Sequence, residues 1–105
     1  MVRKSNKETA VISWEYPKEK EDKILLFRVK NKYHSDPNFL LLAEPPKTQR
    51  SVTFFCGFNM LGIYDFVVCA ISADGSVEAT SEIQQVEIYQ APVEVLEAPT
   101  NVRIV

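Results

Sequence analysis

The strongest constraint in this sequence is its punctuation. Apolar segments are short and rich in β-branched and aromatic residues, and a turn signal soon cuts each one off. No helix of ordinary length is evident. Such regular spacing predicts an all-β sandwich or barrel. Thr9–Glu15 reads as the first strand, with Ala10, Ile12 and Trp14 on the core side by period-2 alternation. Tyr16-Pro17 and the charged run Lys18–Lys23 end it, since proline cannot donate to a ladder. Ile24–Tyr33 is expected to place Leu25, Phe27 and Val29 on one face and Arg28, Lys30 and Lys32 on the other. After the turn His34-Ser35-Asp36-Pro37, Asn38–Glu44 is a further strand, stopped by Pro45-Pro46. Ser51–Phe55 follows, then a loop over Cys56–Ile63. Tyr64–Ile71 is expected to carry Tyr64, Phe66, Val68 and Ala70 on one face. Ser72–Glu78, with Asp74-Gly75, is a hairpin loop, and Ala79–Tyr89 is a more polar strand expected at an edge.

At 105 residues the chain is one domain's worth. Hydrophobic residues make up 46% and charged residues 25%, enough to build a core under a solvated surface. The net charge of −2 excludes nucleic-acid binding by massed basic charge. No apolar run approaches the roughly 20 residues of a membrane-spanning helix, so no membrane insertion is expected. Residues 1–9 are polar and charged, without the apolar stretch of a secretory signal.

The residues that could carry chemistry are few. Cys56 and Cys69 cannot staple a miniprotein, and with the single His34 they match no zinc spacing. No third group or oxyanion turn supports a Cys–His nucleophile. His34 reads as a surface-loop histidine. The carboxylates of Glu15–Asp22 alternate with lysines and read as a solvated loop, not an acid–base pair. No catalytic residue, cofactor or metal is expected, and the chain reads as a non-enzyme.

Several of these residues together resemble the fibronectin type III family. Trp14 followed by Glu15-Tyr16-Pro17 looks like that family's second-strand signature. Ile24-x-x-Phe27-x-Val29 looks like its third strand. Phe55-x-Gly57-Phe58 and then Tyr64-x-Phe66-x-Val68-x-Ala70 look like the fourth strand, corner and fifth strand. The likeness covers residues 9–89. It implies a two-sheet antiparallel β-sandwich of about seven strands. It also implies that Tyr64 is a tyrosine-corner residue whose hydroxyl bonds to upstream backbone. Met60-Leu61 departs from the Pro-Gly type turn common at that corner. Trp14, Phe27, Phe55, Phe58, Tyr64 and Phe66 would supply the core rings. Cys69 would point outward with Asp65, Val67 and Ile71, and no bond to Cys56 is expected.

One motif of the resemblance stands in an unexpected place. The family's first strand reads like Pro-x-Asn-Leu-x-Val and precedes the tryptophan strand. Met1–Glu8 has no such alternation, whereas Pro99-Thr100-Asn101-Val102-Arg103-Ile104 does. The chain therefore divides into 1–89, a sandwich lacking its first strand; 90–97, a linker; and 98–105, a displaced first strand. That strand could fill the gap in its own chain, fill the gap in a neighbour, or begin a following domain. The ten residues Tyr89–Ala98 that connect the ends reach about 33 Å fully extended, against a strand about 25 Å long, so closure within the chain needs a nearly straight connection.

The expected function is that of a non-enzymatic protein-interaction or structural module that self-associates by exchanging its C-terminal strand. Pro99, Val102 and Ile104 would donate, and Ala10, Val11, Ile12 and Ser13 would accept. The other reading is a monomeric, circularly permuted sandwich acting as a receptor or adhesion module. A partner face over Leu26, Arg28, Lys30, Val67, Cys69 and Ile71 is also expected, as an apolar patch with a charged rim. No Arg-Gly-Asp triplet supports integrin binding. The resemblance favours an extracellular or cell-surface setting, while two unpaired thiols suit a reducing compartment equally.

Overall fold

The computed structural model describes residues 1–57, 60–91 and 96–104. It is an all-β fold of two facing sheets. The strands are β1 (Val2–Ser5), β2 (Thr9–Ser13), β3 (Ile24–Tyr33), β4 (Leu40–Ala43), β5 (Ser51–Phe55), β6 (Gly62–Ser72), β7 (Glu78–Thr80) and β8 (Gln84–Tyr89). The larger sheet runs β1-β8-β6-β3-β4, with β7 also paired to β6, and the smaller sheet is the antiparallel pair β2-β5. The spans of β3 and β5 coincide with those expected from alternation. The charged run Lys18–Lys23 forms a short 3-10 helix with no buried residue.

The sheets meet around Ala10, Phe54 and Cys56 from one side and Tyr64, Phe66 and Ile88 from the other. Phe54 packs edge-on to Phe66 with ring centroids 5.0 Å apart. Beside them, Phe27 receives Trp14 and Tyr16 edge-on at 5.4 and 5.3 Å. Arg50 closes this end: it lies over the Phe27 ring, bonds the Tyr16 carbonyl and pairs with Glu21.

Several expectations need correction. Phe55 is not a core ring; it is 72% exposed, while Phe54 is buried. Ala10 stands opposite Phe54 in the β2-β5 ladder, and directly opposed residues share a face, so an inward Ala10 turns Phe55 outward. Leu25 is exposed and Ile24 is buried, because a bulge between Ile24 and Leu26 shifts the register of β3 on β6. The polar strand expected over Ala79–Tyr89 is split into β7 and β8, and β8 is interior, lying between β6 and β1. Met1–Glu8, which lacks apolar alternation, nonetheless contains a strand. Its β1 pairs parallel to β8, so the sheets are not wholly antiparallel. Backbone pairing, the Arg3–Glu87 ion pair at 3.0 Å and Arg3 over the Tyr89 ring hold β1 without an apolar stripe. The corner around Phe58, where Tyr64 was expected to bond backbone, lies outside the described residues at 58 and 59. Tyr64 itself is buried against Tyr33 and Phe54, and burial, reinforced by Tyr33, pushes its phenol well above the ordinary range.

Candidate interaction edge

β1 joins the larger sheet, so it does not cover β2. Among the described residues, the smaller sheet has the two strands β2 and β5, and β2 pairs on one side alone. Which backbone groups are left over follows from the register. Trp14 donates its N–H to the Arg50 carbonyl, and Glu8 accepts from the Cys56 N–H. Alternate residues of a strand aim their hydrogen-bonding groups to opposite sides, so even positions of β2 face β5. Val11 and Ser13 therefore turn their N–H and C=O toward the open edge, flanked by Thr9 and Glu15.

Beside this edge the sheets gape. A cleft of about 740 Å³ runs between Ile12–Glu15 of the β2 side and, facing them, Phe66 and Val68 of β6 with Ser81 and Glu82 of the β7-β8 connection. A smaller hollow of about 230 Å³ continues it between Trp14, Tyr16 and Phe27 on one wall and Val68, Ala70 and Ala79 on the other. The inner face of β6 records the gap. Tyr64 and Phe66 are buried under the smaller sheet, but Val68 and Ala70, further along the same face, are only half-buried. Trp14 lines both hollows, and its indole N–H has no hydrogen-bond partner among the described residues.

The residues expected to donate a strand are outside the sandwich. Pro99, Val102 and Ile104 are exposed, Val102 to 84%, and residues 96–104 form no ladder. The long axis of the molecule extends to 83 Å, against 28 and 18 Å across it. Of the expected acceptor residues, Ala10 is buried, Ile12 half-buried, and Val11 and Ser13 exposed.

The expected partner face is overturned. Val67, Cys69 and Ile71 do point to the outer side of the larger sheet, but all are buried, Cys69 completely. Leu26 and Phe39 pack over them as a second, smaller core. Arg28 and Lys30 are engaged in ion pairs with Glu44 at 3.1 Å and Glu78 at 2.6 Å. Lys30 in turn holds the Glu78 carboxyl below its usual range. Burial raises the Cys69 and Cys56 thiols, and both are free.

A polar cluster that the sequence reading missed lies on the same outer side. Asp65, 2% exposed, meets Lys32 at 3.3 Å, His34 Nδ1 at 3.0 Å and Gln85 Nε2 at 3.0 Å. Burial alone would raise its carboxyl. The bonds from His34, Gln85 and Lys32 outweigh that and hold it below the ordinary carboxylate range. When His34 Nδ1 carries its proton it donates to Asp65. Lys32 also donates to the carbonyls of His34 and Asp36, so the cluster ties the β3 turn to β6. The signal in the sequence was Lys32 opposite Asp65 across the β3-β6 ladder, legible only once that register is known.

Compared with known proteins, the chain matches no family model. A search of curated proteins likewise gives no match.

Proposed function

We propose that this chain is a non-enzymatic protein-interaction module with a fibronectin type III-like sandwich, and that it self-associates by seating its C-terminal segment on the β2 edge of another copy. The observation that supports this reading is the pairing of defects. Among the described residues, one strand edge stands open beside a cleft of mixed apolar and polar lining, and one alternating segment stands exposed outside the sandwich. An unpaired edge is a template for strand addition, in which the backbone supplies affinity and side chains in pockets supply specificity. Each copy carries one donor and one acceptor, so exchange builds a closed ring, of which the reciprocal pair is the smallest, or an open chain.

Light scattering across a concentration series tests the proposal. The full chain should associate, and a chain ending at Glu97 should not. A full chain that stays monomeric at high concentration, and does not bind an added peptide spanning residues 98–105, overturns it. That outcome returns the reading to a monomeric receptor or adhesion module.

A further inference from the structure

We infer that Arg103 of one copy seats against Glu15 of the next, fixing the exchanged strand in a single antiparallel register with Val102 opposite Trp14 and Ile104 opposite Ile12. The inference rests on the strand-exchange reading and specifies the partner surface. Its first support is the parity of β2. The open edge presents the backbone of Val11, Ser13 and Glu15, while the half-buried Ile12 and Trp14 point inward, between the sheets. An incoming strand that buries Val102 and Ile104 must therefore offer backbone from its odd residues, Asn101, Arg103 and Val105. None of these is proline, so each has an N–H to give.

Its second support is the ends of the ladder. With Val102 opposite Trp14, pairing runs Arg103 to Ser13, Asn101 to Glu15 and Pro99 to Pro17. Both strands then reach a proline at the same rung, where pairing has to stop. A two-residue slip toward Ala10 would set Arg103 opposite Val11, with only Thr9 and Ser13 diagonal to it. A slip the other way would carry Pro17 inside the ladder opposite Asn101. A one-residue slip would turn Val102 and Ile104 to solvent. Asn101, at φ 55° in the unpaired segment, must return to the extended region on pairing. Asparagine visits the left-handed region readily, so this change is easily made.

Its third support is charge. Glu15 and Glu82 are the ionisable residues bordering the cleft, and by the alternation of β2 the exposed Glu15 carries its side chain to the outer face. Neither forms an ion pair among the described residues. The only charged residue of the segment 98–104 is Arg103, which is exposed. In this register Arg103 is diagonal to Glu15 on the outer face, within reach for a long side chain. Antiparallel pairing is also the more stable arrangement per residue.

A reciprocal charge swap in the full chain tests the register. Arg103→Glu alone opposes Glu15, and Glu15→Arg alone opposes Arg103. Each should associate roughly fivefold or more weakly than the parent chain at low salt. An equimolar mixture of the two variants restores opposite charges at every junction and should recover parental association to within about threefold. Parental association that requires residues 98–105, with a mixture no stronger than either variant alone, overturns the register and leaves the exchange reading standing. A parent chain that neither associates nor binds the 98–105 peptide overturns both.

Discussion

Ala10 and Phe54 face one another across the β2-β5 ladder, and both are buried between the sheets. The pair decides which of two adjacent phenylalanines builds the core. Phe54→Ala should cost about 3–5 kcal/mol, because it empties a site walled by Tyr64 and Phe66. Phe55→Ala should change stability by less than about 0.5 kcal/mol, since an exposed ring loses little on truncation. Urea unfolding of the two variants provides the comparison, and equal losses would contradict the observed register.

Asp65 ties the acid stability of the fold to one cluster. Its carboxyl is held below the ordinary value, so its contribution is present above the unfolded carboxylate pKa of about 4. That contribution is lost as pH falls through the depressed folded value. Asp65→Asn should therefore destabilise the chain by about 1–3 kcal/mol at neutral pH. The deficit relative to the parent should shrink as the pH drops below about 4. Denaturant midpoints measured at both pH values give the difference directly, and a deficit that grows on acidification would contradict the bonding described.

The two thiols occupy separate protected sites. Cys56 lies in the core between the sheets, and Cys69 lies under Leu26 and Phe39 on the outer side. Burial favours the neutral thiol at both. A disulfide-exchange reagent should modify neither at an appreciable rate in the native chain and both after unfolding. Rapid native reaction of Cys69 would mean that its cover opens.

How much of this was legible depends on which interaction each element uses. β3 and β5 were readable because period-2 alternation and flanking prolines are local signals. The inward face of β5 was not, since Phe54 and Phe55 are adjacent and only the pairing with Ala10 distinguishes them. The burial of Val67, Cys69 and Ile71 depends on Phe39 and on ion pairs reaching across from other strands, which no local pattern encodes. β1 lacked an apolar signature because backbone pairing to β8 and the contacts of Arg3 hold it. That Glu15 and Glu82 border one cleft shows only in the folded arrangement, since they are far apart in sequence.

The orientation of the β2 backbone makes the edge itself testable without touching the C-terminal segment. Val11 directs its N–H toward the open side, and its side chain is exposed. Val11→Pro removes that donor and places a ring where an incoming strand would lie, while the hydrogen bonds from β2 to β5 use the even residues and survive. The expected result is a folded chain that has lost self-association, read as a retained cooperative thermal transition beside a monomeric mass at concentrations where the parent assembles. Proline's preferred φ is less extended than an antiparallel strand, so some loss of stability is expected, of order 1 kcal/mol. Val11→Thr keeps the donor and the β-branched shape, and it should assemble like the parent. If the proline variant folds and still associates, the β2 edge is not the acceptor.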